Sequence, residues 1–355
     1  MKVIHCNIWG DIELSDLAIK IIDTQEFQRL HHIKQTSCAY KVFPTAKTSR
    51  FEHSIGVYYL TGALLENLLS KQPFIIEKER FELIKLGGLC HDIGHGPYSH
   101  TFDNVLLSDS KTDWHHHEKR SQDLFRHICL KYNLPLSENE ITFVTDVIDS
   151  EKDDWYYNVV SNKKNGIDTD KLDYIVRDNI TFGLKLNIDV NRILTNTRVI
   201  ANKLCFCSRI KDDIFNLYYV RYRLYREIYC HPKVIAFEYA INDILKDKKE
   251  ILKKIIIEKD LESFVTLNDY SIMEGCSKEK IVDMETRKIM KYSETGDIVV
   301  TVQFGFISNK TNPFENVYFY DKKNLTDCFK ISDINLIMRH LTVFHEIREL
   351  RFTRT

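Results

Sequence analysis

Apolar residues recur at helical spacing over much of the first two thirds of the chain. The pattern predicts long helices over Arg50–Leu69, Glu77–Asp92 and Ile214–Lys246, and a shorter one over Lys119–Tyr132. A further stretch, 170–178, sets an apolar stripe against a face of charged and aromatic residues. The core of the protein is therefore expected to be helical.

Short segments rich in β-branched and aromatic residues flank these helices. Residues 2–5 and 11–14 predict one hairpin, and 199–200 with 204–207 predict another. After residue 297 the apolar period becomes that of strands, and a closing helix is expected over Ile334–Leu341.

Glycine and proline are scarce, at 12 and 6 residues of 355, which favours long helices over a many-turned β architecture. We therefore expect a mainly α protein with short β-hairpins. The expected domains are a helical core with an N-terminal β arm over 1–245 and a small C-terminal α+β lobe over 246–355.

The charge balance gives no global electrostatic case for nucleic acid as a partner. Lys and Arg number 50 against 51 Asp and Glu, although a local basic patch stays possible. The nine cysteines show no CxxC spacing, which favours reduced thiols in the cytoplasm or nucleus. No signal peptide and no apolar run long enough for a bilayer is apparent, so a soluble protein without a membrane partner is expected.

The stretch LCHDIGHGPYSH, residues 89–100, contains several side chains that can bind a metal or transfer a proton. His91 and Asp92 are adjacent at a predicted helix end, and His95 lies four residues after His91 on the same helical face. Pro97 ends the helix, and the glycines beside it leave room for a ligand near the backbone. Three histidines and an aspartate in this setting point to a divalent cation and a neighbouring acid.

Further cation ligands must come from elsewhere in the chain. His53 on the first long helix and Asp170 on the 170–178 helix are the candidates, and each alone also fits an ordinary structural role. With His91 and Asp92 they would form a set of two imidazoles and two carboxylates. Such a set suits Mn, Fe, Zn or Ni, and Mg when water completes the shell.

Hydrolysis of a phosphate ester also needs positive charge on the phosphoryl oxygens and an acid for the leaving group. Candidate side chains for these tasks, and for contact with a sugar, lie at several points between residues 50 and 221. They are the cations Arg50, Lys171 and Arg221, the proton donors His95, His100 and His117 with the carboxylates Asp103 and Glu118, and the sugar-facing Tyr174 and Asp178.

The order His53, His91-Asp92, Asp170 resembles the H…HD…D signature of the HD-domain superfamily of metal-dependent phosphohydrolases. The segments DTQEFQRLHHIKQ, VFPTAKTSRFEHSIGV, GGLCHDIGHGPYSH, VSNKKNGIDTDKLDYIVRD and NPFENVYFY are more closely similar to deoxynucleoside triphosphate (dNTP) triphosphohydrolases. The similarity is closest to the catalytic core of the vertebrate members with SAM and HD domains, and this chain is expected to be a bare core without the SAM domain.

The resemblance implies an HD-domain helical core, a homodimer or homotetramer, and the reaction dNTP + water → deoxynucleoside + triphosphate. It also implies a role for each matching residue. The implied metal ligands are His53, His91, Asp92 and Asp170, the implied catalytic residues are His95, His100, Asp103 and His117, and the implied substrate-binding residues are Gln35, Arg50, Lys171, Tyr174, Asp178 and Arg221. The cofactor is expected to be Mn, Fe, Mg or Zn.

Several positions depart from the family pattern. Thr36 replaces a leucine against the sugar, and Tyr225 and Cys230 replace a histidine and a glutamine near the sugar and base. At the family's guanine-reading regulatory site Asp23 and Gln28 persist, but His31 replaces an arginine, and the basic loop between Tyr292 and Asp297 is shortened. We therefore hypothesise that activation by dGTP is lost or altered.

Two other functions use the same residues. One is a different HD phosphohydrolase activity, such as a dNMP phosphatase or a cyclic-nucleotide phosphodiesterase. The other is a non-catalytic nucleotide or nucleic-acid binder that keeps the fold. The products of dNTP turnover distinguish the three.

Overall fold

The computed structural model describes residues 2–73, 75–107, 112–305, 313–331 and 345–354. Its helices are α1 (Asp16–Ile22), α2 (Gln25–Gln28), α3 (Arg50–Lys71), α4 (Lys78–Cys90), α5 (His117–Lys131), α6 (Glu138–Ile148), α7 (Thr169–Thr181), α8 (Val190–Thr195), α9 (Lys211–Leu224), α10 (Pro232–Ile244), α11 (Lys249–Glu258), α12 (Leu261–Val265) and α13 (Lys278–Glu285). Its strands are β1 (Lys2–Cys6), β2 (Gly10–Leu14), β3 (Thr197–Ile200), β4 (Lys203–Cys207), β5 (Lys291–Tyr292), β6 (Ile298–Gly305), β7 (Tyr318–Asp321), β8 (Asn324–Phe329) and β9 (His345–Thr353). The prediction of a mainly α protein with short hairpins is confirmed.

One predicted helix is broken in the structure. The stretch expected to run from Ile214 to Lys246 divides into α9 and α10, separated by a π-helical turn over Tyr225–Tyr229. Pro232 begins α10, where its missing N–H costs no helical hydrogen bond. The predicted closing helix Ile334–Leu341 lies outside the described residues.

Helix α3 occupies the centre of the core. Its start is fixed by the Glu52 carboxylate, which accepts hydrogen bonds from the Ser49 backbone N–H at 2.8 Å and the Ser49 hydroxyl at 3.1 Å. Helices α4 and α7 both pack on α3, and apolar side chains fill the space on both sides of it. Among the described helices, none has the length and hydropathy needed to cross a membrane.

The C-terminal strands form two separate sheets. Strand β7 pairs parallel to β4, which gives a four-stranded sheet in the order β3-β4-β7-β8. Strands β5, β9 and β6 form a second, antiparallel sheet. Residues on both sides of position 245 thus share the first sheet, and the division into domains at that position stays a prediction.

Helix α10 places an acid beside two loops of the core. Glu238 Oε1 accepts a hydrogen bond from Thr101 Oγ1 at 3.0 Å, and Thr101 Oγ1 lies 2.8 Å from Ser37 Oγ. In the part of the chain that the structure describes, no cationic side chain forms an ion pair with Glu238. Burial therefore raises the pKa of Glu238 to about 7, against the lowering effect of the Thr101 hydrogen bond.

This pKa predicts a pH-dependent gain of stability in Glu238→Gln. The unfolded carboxyl ionises near pH 4.3 and the folded one near 7, so ionisation destabilises the folded protein increasingly across that window. The variant should match the wild type near pH 4.5 and be more stable by about 1–3 kcal/mol at pH 8. Urea unfolding at both pH values measures this difference.

The control Glu250→Gln, on a side chain that is 85% exposed, should show no such pH-dependent gain. A gain for Glu238→Gln that is equal at the two pH values would contradict the prediction.

Candidate active site

Four predicted metal ligands from three parts of the helical core converge. His53 lies on the first turn of α3, His91 and Asp92 directly follow α4, and Asp170 lies on the first turn of α7. His53 Nε2 is 3.1 Å from Asp170 Oδ1 and 3.3 Å from Asp92 Oδ2. His91 Nε2 is 3.4 Å from Asp92 Oδ1 and 3.5 Å from Asp170 Oδ1. We call these four residues the HD cluster.

The donor atoms of the HD cluster fit a divalent cation. Ligand atoms bound at about 2.1 Å lie roughly 3 to 3.5 Å from one another, which is the spacing seen here. His91 Nδ1 donates to the Gly88 carbonyl at 2.8 Å and thereby leaves Nε2 as the acceptor. Among the described residues this buried Nε2 makes no hydrogen bond. A bound cation would give this nitrogen the partner that a buried polar atom requires.

A carboxylate that the sequence analysis did not assign orients the His53 ring. Asp173 Oδ2 accepts from His53 Nδ1 at 2.7 Å, and both Asp173 oxygens accept from Arg177 at 2.8 Å. Trp9 Nε1 also donates to Asp173, at 2.5 Å. A Cβ at Gly56 would overlap Asp173, so glycine at that position lets α7 approach α3 closely. The one sequence signal for this role was an acid on the packed side of α7, four residues before an arginine.

Arg50 keeps Asp92 of the HD cluster ionised, and two carboxylates keep His53 protonated. Arg50 Nη1 donates to Asp92 Oδ2 at 2.5 Å, and both side chains are buried. Burial alone would raise the pKa of Asp92, but the charges of Arg50, His91 and His95 hold it well below its usual range. Burial alone would lower the pKa of His53, but its hydrogen bonds with Asp170 and Asp173 raise it to about 9. A bound cation would displace that proton.

The four predicted catalytic residues form a second group beside the HD cluster. The rings of His95 and His117 stack with centroids 3.8 Å apart, and the His100 ring lies edge-on to His95 at 5.0 Å. His117 Nδ1 lies 3.3 Å from Asp103 Oδ2, and His95 Nε2 lies 3.2 Å from Asp92 Oδ1. The two groups are therefore contiguous.

Arg120, which was not assigned from the sequence, holds this second group in place. Its Nη2 donates to Asp103 Oδ1 at 2.5 Å, and its Nε donates to the Gly94 carbonyl at 2.7 Å. The side chain is fully buried. Because Arg120 neutralises Asp103, the pKa of that carboxyl lies below its ordinary range even though burial raises it.

The three histidines of the second group differ in protonation. Burial, followed by the charges of Arg50 and His117, lowers the pKa of His95 well below its usual value. Desolvation and the same two charges also lower the pKa of His100, although its side chain is exposed. Burial also lowers the pKa of His117, but Glu118 and Asp103 raise it above its ordinary value overall. His117 is therefore the histidine of the three that retains a proton near neutral pH.

The predicted sugar-facing residues lie on α7, beyond the HD cluster. Tyr229 OH donates to Asp178 Oδ2 at 2.5 Å, and Arg221 Nε donates to Tyr174 OH at 2.9 Å. Among the described residues, Asp178 Oδ1 and Gln35 Oε1 are buried without a hydrogen bond. Tyr229 is a further residue of this region that the sequence analysis did not assign. Unpaired buried acceptors at two predicted substrate-binding positions are what a site for a polar ligand requires.

Lys171 is a second predicted phosphate-binding cation beside the HD cluster, after Arg50. Its Nζ lies 2.8 Å from Asp168 Oδ2 and 3.7 Å from Asp170 Oδ2. Asp168 also caps α7 by accepting from the Lys171 backbone N–H at 2.8 Å. Burial lowers the pKa of Lys171, but the charges of Asp168 and Asp170 raise it overall, so the ammonium stays charged.

Comparison with known proteins agrees with this geometry. A family model described as the HD domain matches residues 50–178, which include the HD cluster and the second histidine group. A putative HD domain-containing protein of Acanthamoeba polyphaga mimivirus is 31% identical over 94% of this chain and 88% of its own length.

Proteins named deoxynucleoside triphosphate triphosphohydrolase SAMHD1 are also similar. The Danio rerio protein is 30% identical over 93% of this chain and 67% of its own length. The Homo sapiens protein is 35% identical over 82% of this chain, and the match spans 55% of the human protein's length.

The contact between His53 and Asp173 predicts weaker metal binding in Asp173→Asn. Removing the acceptor that orients an imidazole ligand typically weakens metal affinity by 10- to 100-fold, and we expect a loss of about that size. Competition between the protein and a chelator for Mn²⁺ measures the dissociation constant.

The matched control is Asp189→Asn, which replaces the cap of α8 away from the HD cluster and should leave metal affinity unchanged. Equal affinities of Asp173→Asn and the wild type would show that Asp173 does not orient His53.

Proposed function

Because the chain belongs to the HD-domain deoxynucleoside triphosphate triphosphohydrolase family, we propose that it converts a dNTP and water into a deoxynucleoside and triphosphate. The observation that carries the proposal is the contact between the HD cluster and the second histidine group, together with an unpaired oxygen of Asp178 on the same helix as Asp170.

The HD cluster would hold the cofactor, which we propose to be Mn, Fe, Mg or Zn. His53, His91, Asp92 and Asp170 supply two nitrogen and two carboxylate ligands, a mixture that these cations accept. When bound, the cation would polarise a phosphoryl oxygen and lower the pKa of water.

Charged side chains would bind and orient the phosphates. Arg50 and Lys171 lie within 4 Å of HD-cluster carboxylates, so both can reach a phosphoryl group placed against that cluster. Arg221 lies further along, next to Tyr174. Fixed cations of this kind stabilise the charge that develops on the phosphoryl oxygens in the transition state.

Histidines of the second group would bind the α-phosphate and protonate the leaving group. The pKa values of His95 and His100 are lowered, so both present neutral rings that hydrogen-bond to phosphate oxygens. His117 Nδ1–H donates to Asp103, which directs Nε2–H toward the leaving sugar oxygen. The proton thus moves from His117 Nε2 to the deoxynucleoside.

Gln35, Tyr174 and Asp178 would contact the deoxyribose. Tyr174 is held by Arg221 and Asp178 by Tyr229, so both side chains are fixed before substrate arrives. A Tyr174 ring against the sugar excludes a 2′-hydroxyl. The substitutions Thr36, Tyr225 and Cys230 change the surroundings of the sugar and base, and we propose no base preference.

We propose that control by dGTP is lost or altered in this chain. His31 stacks on Phe51 with ring centroids 3.7 Å apart, and burial lowers the pKa of His31. A neutral, stacked imidazole does not replace the permanent charge and forked hydrogen bonds of an arginine. Asp23 and Gln28 remain, and Gln28 Nε2 is engaged with the Ile22 carbonyl at 2.8 Å.

We further propose a soluble homodimer or homotetramer in the cytoplasm or nucleus. Nucleic acid stays possible as a partner, although the net charge of −1 gives it no support.

Product analysis tests the activity. Purified protein with Mn²⁺ or Mg²⁺ and each dNTP should release triphosphate and deoxynucleoside, separated by anion-exchange chromatography. His91→Ala should lower the rate by at least about 1000-fold because an HD-cluster ligand is lost. The control His5→Ala, on the exposed N-terminal hairpin, should retain the wild-type rate.

Other products would assign a different function. Orthophosphate from a dNMP, or hydrolysis of a cyclic nucleotide, without triphosphate from any dNTP would favour the other HD phosphohydrolases. Nucleotide binding without any product would favour the non-catalytic binder.

Effector dependence is tested separately. With dATP as substrate, added dGTP should change the rate by less than about twofold and should leave the sedimentation coefficient unchanged, because His31 lacks an arginine's charge. Strong activation with nucleotide-linked assembly of a tetramer would overturn this part of the proposal.

A further inference from the structure

The buried carboxylate of Asp269 joins two backbone segments that carry proposed site residues. Asp269 Oδ2 accepts from the Lys34 backbone N–H at 2.9 Å, and Oδ1 accepts from the Tyr98 backbone N–H at 2.6 Å. Asp269 also donates its own N–H to the His32 carbonyl at 3.2 Å, and its carbonyl accepts from Tyr98 OH at 3.0 Å. Asp269 as a whole is only 6% exposed.

Each joined segment leads directly to a residue of the proposed reaction. Lys34 precedes Gln35, which would contact the sugar, and Tyr98 lies two residues before His100. Between the segments, Ser99 Oγ donates to the Lys34 carbonyl at 2.6 Å and accepts from Arg50 Nε at 2.9 Å. A continuous set of hydrogen bonds therefore runs from Asp269 to the arginine that neutralises Asp92.

The turn that carries His100 needs such an anchor. Tyr98 and Ser99 have φ of +60° and +53°, in the left-handed region that residues with a Cβ adopt at a cost. The surrounding structure must compensate for this conformation if it is to persist. The Asp269 carboxylate does so by receiving the Tyr98 N–H, which would otherwise be buried without a partner.

Only a carboxylate can fill this position with both contacts intact. The two facing groups are both N–H donors, so two acceptor oxygens are needed. An asparagine would present one oxygen and one NH₂ group, and the NH₂ group would oppose a backbone N–H. Burial raises the pKa of Asp269 to about 6, against the lowering effect of the two backbone amides, so the group is mainly ionised above neutral pH.

We propose that Asp269 is a positioning residue of the phosphohydrolase site, which sets the placement of Gln35 relative to His100 without contacting the substrate. The proposal rests on the proposed function. The Asp269 side chain is buried and its two oxygens accept from the backbone amides of Lys34 and Tyr98, so its effect on turnover passes through the two segments.

Asp269→Asn should therefore lower kcat while preserving the metal site. We expect kcat to fall about 10- to 100-fold with a smaller change in KM, since displacement of a reacting group by about 1 Å costs up to about 100-fold. Bound Mn²⁺ should stay at the wild-type stoichiometry, because the Asp269 side chain bonds to the Lys34 and Tyr98 amides and not to an HD-cluster ligand. Hydrogen exchange of the Lys34 and Tyr98 amides should become faster.

The matched control is Asp260→Ala in the same part of the chain. Asp260 caps α12 by accepting from the Ser263 backbone N–H at 3.1 Å, and it touches neither segment. This variant should lose stability but keep the wild-type kcat and the protection of the Lys34 and Tyr98 amides. If both variants lower kcat equally at temperatures well below their unfolding transitions, the positioning role is wrong.

A second variant keeps the proposal testable if Asp269→Asn does not fold. Tyr98→Phe removes only the hydroxyl contact with the Asp269 carbonyl and should lower kcat by a smaller factor, about threefold, at unchanged metal content. An unchanged kcat in Tyr98→Phe would then overturn the proposal.

Failure of the proposed function gives a different result. If the wild type hydrolyses no dNTP, the exchange rates of the Lys34 and Tyr98 amides still distinguish Asp269→Asn from Asp260→Ala. Equal exchange in these two variants would overturn the anchoring role whatever the reaction is.

Discussion

The site depends on one buried carboxylate that four N–H donors share. Asp173 accepts hydrogen bonds from His53, from two nitrogens of Arg177 and from Trp9, so α3, α7 and the N-terminal hairpin region meet at a single side chain. A buried charge is tolerated only when it is paired and hydrogen-bonded, and Arg177 supplies the opposite charge. The same contacts fix the orientation of the His53 ring. Packing of the core and geometry of the HD cluster are thus determined by the same contacts.

A comparable arrangement around Asp103 distinguishes the histidines of the second group. His95, His100 and His117 lie within a few ångströms of one another, yet Glu118 and Asp103 offset the burial of His117, whereas the charge of Arg50 adds to the desolvation of His95 and His100. Arg120 keeps Asp103 ionised, and Asp103 in turn keeps His117 protonated. Three residues of one type thereby acquire two different acid–base roles through their neighbours.

Local pattern was sufficient to predict the hairpins, the central helix and the 170–178 helix, and the family motifs indicated which distant residues meet. It was not sufficient for the residues that support them. Asp269 is separated from Lys34 by more than 200 residues, and a lone acid in a polar segment carries no sequence signal of that contact. Arg120 was missed for a similar reason, since it looks like an ordinary surface charge in the sequence, and the weak signal for Asp173 did not show which side chains it contacts. The break between α9 and α10 needed the structure as well, because the apolar period continues across it.

The parallel pairing of β4 with β7 has a consequence for how the chain is made. Strand β4 ends at Cys207 and its neighbour β7 begins at Tyr318, so a translating ribosome must add roughly 110 residues before the pair can close. At about 5–20 residues per second this takes on the order of 5–20 seconds. Throughout that interval β4 is the unpaired edge of a two-stranded hairpin. Its residues Leu204, Cys205 and Phe206, which are buried in the folded protein, are not yet covered by β7. An open apolar edge of this kind is a template for pairing between nascent chains, so this interval carries a risk of aggregation during synthesis.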